Sequence, residues 1–541
     1  MAVLSRLLKA GSMTESLGVY IPATVFQRFL GLGRMLLFVY LLKETGYGLW
    51  GLGVVIFTMA SSLVTLGSHH GLVRYVSFYE ARGQLQAFYS RIRFLILTCA
   101  VALTAAALAG SDIMVALTRS KVAEVEPQRQ LHLCWAALVN AGLLGLYHNM
   151  LGFLVGMRRY RAVSVLEIAF AVCFTILGVG VLLATADPMC LMIAHFISVL
   201  VVFVAGMLLL HTAIKSPEPL VGADKPTERP EETLIPEPDS DAVGLDAAMP
   251  FPVRQARAAE PSGLEGCFAR VLRFGFVATI AGFLWQGAGY VSFLLTSRRY
   301  GEAKAGIFFA FLPVGQSLMA LSNAARAVIF THVARHWESG ERRLAVSLLE
   351  TTYKALVLGA MTIAVVLYVT SQWWVKILPS GFRGGLGLLG GLLLFFQASI
   401  HLALLNTLAR LHERPTVVAI GPLLGGALIV PLAILWMDRY GPEGAALAAG
   451  VGMYAGMMAV SLVYLLIVRV RMQINTYFLM AVPAVLLLSK LTLGLVWIAV
   501  LIVTIFTTWL LDARQKRILS SSGRRILKQL RTAGSRRPPS R

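Results

Sequence analysis

The sequence predicts an all-α polytopic membrane protein: about 14 transmembrane helices in two pseudo-symmetric lobes around a central cavity. Composition is the first reason. Of 541 residues, 57% are hydrophobic and only 14% charged, against about 45–50% and 25% in soluble domains. Apolar runs of bilayer length, recurring along nearly the whole chain, are the second. About 20 residues at ~1.5 Å rise cross a ~30 Å hydrocarbon layer, where the unsolvated backbone must be helical. An internal repeat, described below, is the third.

Hydropathy places spans at 18–42, 48–68, 93–111, 131–156, 163–185, 189–212, 269–296, 305–330, 351–371, 385–409, 416–437, 443–468, 473–489 and 491–511. The last two share a tight turn at Ser489–Lys490. With the N-terminus inside, 34 of the 48 Lys and Arg residues fall on the inner side and 11 outside, leaving Arg28, Arg34 and Arg326 in the membrane. That bias puts both termini of a multi-pass inner-membrane protein in the cytoplasm. It also accounts for the net charge of +21 without nucleic acid. The first eighteen residues carry no leader-peptide pattern.

Residues 1–212 are therefore expected to form a lobe of six spans and residues 268–511 a lobe of eight. Between them, 213–267 reads as a disordered cytoplasmic linker. Its stretch from Ala213 to Glu265 holds 9 of the 21 prolines and 11 of the 27 acidic residues, a composition that cannot bury a core. The tail, 512–541, has ten basic residues and is expected to rest on anionic lipid head groups, at roughly 1 kcal/mol per basic residue. No aromatic residue interleaves those charges, as a nucleic-acid site would want.

The halves repeat. LLFVYLLKETGYGLWGLGVVIFTMASS (Leu36 to Ser62) and LLTSRRYGEAKAGIFFAFLPVGQS (Leu294 to Ser317) share a helix, a short polar turn and a Gly-led helix, with Gly48 and Gly306 258 residues apart. The later loops EARGQLQAF and ESGERRLAV align Gly83 with Gly340 at an offset of 257. Same-sense repeats imply two lobes about an axis along the membrane normal.

Gly48 and Trp50 after the first turn, GLVRYVSFYEARGQ (Gly71 to Gln84), LLGLYHNMLGFLVGMRRYRAVSVLEI (Leu143 to Ile168) with its GMRRYR turn, and YGEAKAGIFFAF (Tyr300 to Phe311) resemble the polysaccharide-export branch of the multidrug/oligosaccharidyl-lipid/polysaccharide flippase superfamily. The resemblance spans roughly residues 12–510 in span count and loop placement. It implies transport of lipid-linked oligosaccharide across the cytoplasmic membrane by alternating access, with glycan-assembly proteins as further partners. The family commonly has an acidic–basic pair in span seven, where this chain has Gln286, Gly289 and Tyr290.

Such a cargo needs cations for its phosphates and hydrogen-bonding groups for its sugars. An arginine at the membrane centre costs about 2.5–3.5 kcal/mol and usually faces a bundle interior or a wet cavity. Arg28, Arg34 and Arg326 are the phosphate candidates, since arginine grips phosphate bidentately. Six residues separate Arg28 from Arg34, about 120° around a helix, so a straight helix gives them different neighbours. Asn140, His148, Asn149, Gln286, Tyr290 and Asn323 are the sugar candidates; each could equally be an interhelical tie. Trp50, Trp373 and Trp374 read as interfacial aromatics, and Arg74 as a loop residue.

Catalytic and metal patterns are missing, and no cofactor motif stands out. His332 and His336 lie on a basic segment without an HExxH pattern, and the five cysteines have no CxxC spacing. A drug or cation antiporter of the same fold, or a polytopic transferase or assembly subunit of a secretion complex, stay as alternatives. Deep acids are scarce: Glu167 and Asp187 lie near span ends, which favours an anionic cargo and leaves energy coupling unassigned.

Overall fold

The computed structural model describes residues 13–118, 126–215 and 266–517, apart from Ala81, Ser339, Glu413, Pro415 and Arg514. Most of the expected linker and tail lies outside these residues. Helices make up the first lobe: α1 (Met13–Val64), α2 (Ser68–Glu80), α3 (Leu85–Ala109), α4 (Ser111–Thr118), α5 (Pro127–Gly156), α6 (Tyr160–Thr185) and α7 (Pro188–Lys215). The second lobe holds α8 (Cys267–Glu338), α9 (Arg342–Val369), the short α10 (Ser371–Trp374), α11 (Leu388–Leu411), α12 (Val417–Tyr440), α13 (Pro442–Ile467), α14 (Ile474–Ala481) and α15 (Lys490–Phe506). Among the described residues, ten stretches are long and apolar enough to cross a membrane. This is a multi-pass membrane protein.

Each of α1 and α8 contains two of the expected spans, and each is broken once. The break in α1 is at Lys43 (φ 55°, ψ −171°) and that in α8 at Gly301 (φ 86°, ψ 173°). These positions are themselves 258 residues apart. Gly83 and Gly340 both take positive φ, 68° and 87°. The next amide closes the same turn in each: Gln84 N donates to Tyr79 O and Glu341 N to His336 O, both at 2.9 Å. The repeat read from sequence is thus a repeat of backbone geometry.

Two expectations change. Arg74 sits on helix α2 rather than in a loop. The final pair of spans is short: α14 passes at Ala481 into a 3-10 helix (Val482–Leu487), and α15 has 17 residues. Pro483 lacks the N–H that an α-helix would use there. Ser489 caps α15, its Oγ accepting from Thr492 N at 3.3 Å.

The lobes meet along a seam of α1 and α2 against α8, closed at both ends by glycine. Near Lys43, Gly48 packs on the Glu302 carbonyl and Gly306 on the Glu44 carbonyl, where any Cβ would collide. At the opposite end Gly67 and Gly275 lie backbone to backbone, and Arg270 Nη2 donates to Tyr79 Oη at 3.0 Å.

Candidate functional site

Arg34 is held by α6. The two helices run side by side in the same sense: Arg34 meets Ala171 and Phe174, and Phe38, one turn on, meets Phe174 and Gly178. The Arg34 guanidinium lies over the Phe174 ring, Cζ to centroid 4.5 Å, a cation–π contact worth about 0.5–2 kcal/mol depending on desolvation. Nη1 donates to Ala171 O at a long 3.5 Å. Among the described residues no carboxylate lies within 4 Å of this half-buried cation. Guanidinium offers five N–H donors in a fork, so most of them are available to an acceptor.

A buried scaffold fixes the Phe174 ring. His195 meets it edge-on at 4.9 Å and stacks on Phe57 at 4.7 Å. Asn140 spends its amide N–H groups on Ala136 O (2.9 Å) and Met192 O (3.3 Å), and its oxygen faces His195 Nδ1 at 2.8 Å. In this arrangement Nδ1 donates, which fixes the ring's tautomer and plane. Trp50 also belongs here. It is 5% exposed and tilted against Phe174 at 5.7 Å, not at an interface: Phe38, Phe57 and Phe174 cover it from three directions.

Arg28 is exposed, and its charge acts on the half-buried carboxyl of Glu167 on α6. No helical break separates Arg28 from Arg34, so the two address different positions on one neighbour. The structure supplies a carbonyl and a ring to Arg34, and sets Arg28 where its charge acts on the Glu167 carboxyl.

The remaining candidates scatter. Asn149 Oδ1 accepts from Ser68 Oγ at 2.7 Å, while its Nδ2 is buried without a partner. His148 lies 5.9 Å, ring to ring, from His69, whose ring is tilted 39° against His70 at 3.9 Å. Burial and those two imidazoles hold His69 well below the ordinary histidine range, so it is neutral at neutral pH. Tyr290 hydrogen-bonds Thr58 across the seam, and Gln286 Oε1 is buried without a partner. The side chains of Asn323 and Arg326 lie outside the described residues. Arg34 therefore lies against α6, and Asn140 reaches the same Phe174 ring only through His195, whereas His148 and Asn149 belong to the end of the seam near Gly67. His195 and Phe174, central to the site, gave no sequence signal beyond being polar or aromatic in an apolar run.

Solved structures match this architecture. One titled a lipid II flippase MurJ in an inward closed conformation aligns with TM-score 0.60 at 12% identity, covering 90% of this chain and 99% of that one. The fold is that of the MOP transporters. An inward-facing multidrug resistance MATE family transporter of that superfamily aligns at 0.59 with 13% identity, over 82% of this chain and 94% of that one. A MOP superfamily transporter from Pyrococcus furiosus, whose title notes reverse polarity of its binding pocket, aligns at 0.54 with 13% identity, over 89% and 98%. No family model and no curated protein matches the sequence. Within the MOP-type fold the 258-residue offset sets Gln286 opposite Arg28 and Ser292 opposite Arg34, so the cations of these two repeat positions lie only in the first lobe.

Proposed function

We propose that the protein is a flippase that moves a lipid-linked, diphosphate-bearing glycan across the inner membrane by alternating access. In this reading both termini are cytoplasmic, the head group crosses beside α1 and α6, and the polyprenyl chain stays in lipid. The observation that carries it is Arg34: an intramembrane guanidinium backed by an aromatic ring, with one long hydrogen bond and no carboxylate within 4 Å among the described residues. A phosphate matches that unused fork; a cationic drug is repelled by it. Arg28 extends the positive field by a turn and a half. Asn140 serves as a positioning residue, while His148, Asn149, Gln286 and Tyr290 remain available to the sugars only when the seam opens.

The likeness to a MATE transporter and the half-buried carboxylate of Glu167 favour a second reading, a cation antiporter of the same fold. The Arg28 charge acting on that carboxylate weakens it. The deciding experiment reconstitutes the full chain in liposomes and follows flipping of a fluorescent polyprenyl-diphosphate sugar, with a cationic dye in parallel. Flipping by the native chain and its loss in Arg34→Ala support the flippase. Dye transport without flipping supports the antiporter.

A further inference from the structure

Glu167 is a titratable group the flippase reading leaves unused. It is half-buried in an apolar helix, and it makes no hydrogen bond or ion pair with a described residue. The register of α1 on α6 places it. Arg34 lies against Ala171 and Phe38 against Phe174 and Gly178, so six residues earlier Arg28 stands level with the Ser164–Glu167 turn. The Arg28 charge acts on the Glu167 carboxyl, yet the two do not close to 4 Å. Around them, Ser164 Oγ and Tyr147 Oη are buried without partners, and Tyr147 feels the Glu167 charge. From α7 no described residue presents a charge to Glu167, and on its own helix Arg161 lies six residues away. A carboxylate so poorly solvated is stabilised as an anion mainly by its cation. Whatever removes the field of Arg28 changes its protonation.

We propose that Glu167 is an internal counter-anion, facing Arg28 when no cargo is bound and yielding Arg28 to the cargo phosphate by taking up one proton from water. The inference rests on the anionic-cargo reading above and adds its energy coupling. The step balances: the phosphate replaces the carboxylate beside the guanidinium, and the carboxylate becomes a neutral acid. Binding of the anion and uptake of a proton are then one thermodynamic event, and release on the other side returns both. By linkage, raising the pH weakens binding, because the proton must come from solution.

The test uses the full chain in neutral-lipid nanodiscs, with farnesyl diphosphate as probe and farnesol as the uncharged control. Affinity and proton uptake are read together in weak buffer. Glu167→Gln should bind the diphosphate about tenfold tighter near neutral pH, the scale of removing one competing charge, and should lose the uptake specific to the native chain. Glu167→Asp, which keeps the charge, should retain uptake. Native affinity and native uptake in Glu167→Gln, with binding still weakened in Arg34→Ala, overturn the counter-anion and leave the anionic-cargo reading standing. Native binding in both Arg28→Gln and Arg34→Ala overturns the two together.

Discussion

Gly48 and Gly306 pack against each other reciprocally: the amide nitrogen of Gly306 lies 3.1 Å from where a Cβ on Gly48 would stand, and that of Gly48 lies 2.9 Å from the equivalent point on Gly306. Each glycine also rests on the carbonyl of the other repeat's glutamate, Glu302 and Glu44. Residue i touching j′ while j touches i′ is the signature of a two-fold contact, here inside one chain. A two-fold contact without side chains can shut completely at this end of the seam. Gly48→Val should hold it open at a local cost of about 1–3 kcal/mol. Spin labels at Lys43 and Lys304 should then report a longer distance than in the native chain, and an unchanged distribution would show that the contact does not limit closure.

Phe174 should matter to Arg34 through its ring alone. Phe174→Leu keeps an apolar side chain but removes the cation–π contact, about 0.5–2 kcal/mol. Flipping of a polyprenyl-diphosphate sugar in liposomes should fall by roughly two- to thirtyfold on that scale. Arg34→Lys should not restore the native rate, since an ammonium cannot reproduce the planar fork.

The strain at Lys43 is the kind of feature a sequence only half declares. Its φ of 55° with ψ of −171° is a region natural to glycine, and the repeat places Gly301 at the same point. Lys43→Gly should raise the thermal stability of the detergent-solubilised chain, since relieving such a residue is worth about 1–3 kcal/mol, offset by up to ~1 kcal/mol of glycine's chain entropy. Gly301→Lys should lower it. An equal response from both positions would remove the assignment of strain.

What the sequence disclosed follows from what is local in it. Hydropathy located the helical runs and a fixed offset located Gly48, Gly83, Gly306 and Gly340, because span length and turn chemistry act over a few residues. The partners of the buried polar groups did not show, because they are made only by tertiary packing. Asn140 finds His195 55 residues on, and Arg34 finds Ala171 137 residues on. Trp50 misled for the same reason: an aromatic at the start of a span looks interfacial until Phe38, from before the break at Lys43, and Phe174 of α6 cover it.

The buried ion pair of α9 gives the largest expected effect. Lys354, fully buried, lies 3.4 Å from Glu350 Oε1 and donates to Gln473 Oε1 at 2.6 Å. Glu350 Oε1 also accepts from the Gln473 backbone N at 2.9 Å and from Thr476 Oγ1. These bonds tie the start of α14 to α9, where short helices have little apolar area of their own to hold them. Lys354→Met leaves Glu350 without its cation and should cost about 3–5 kcal/mol. The double change Glu350→Gln with Lys354→Met should recover much of that loss, because no bare charge remains. Melting in detergent compares the three chains. A double variant no more stable than Lys354→Met alone would mean that the lysine acts through Gln473 and not through the carboxylate, and Gln473→Leu should then reproduce the whole loss.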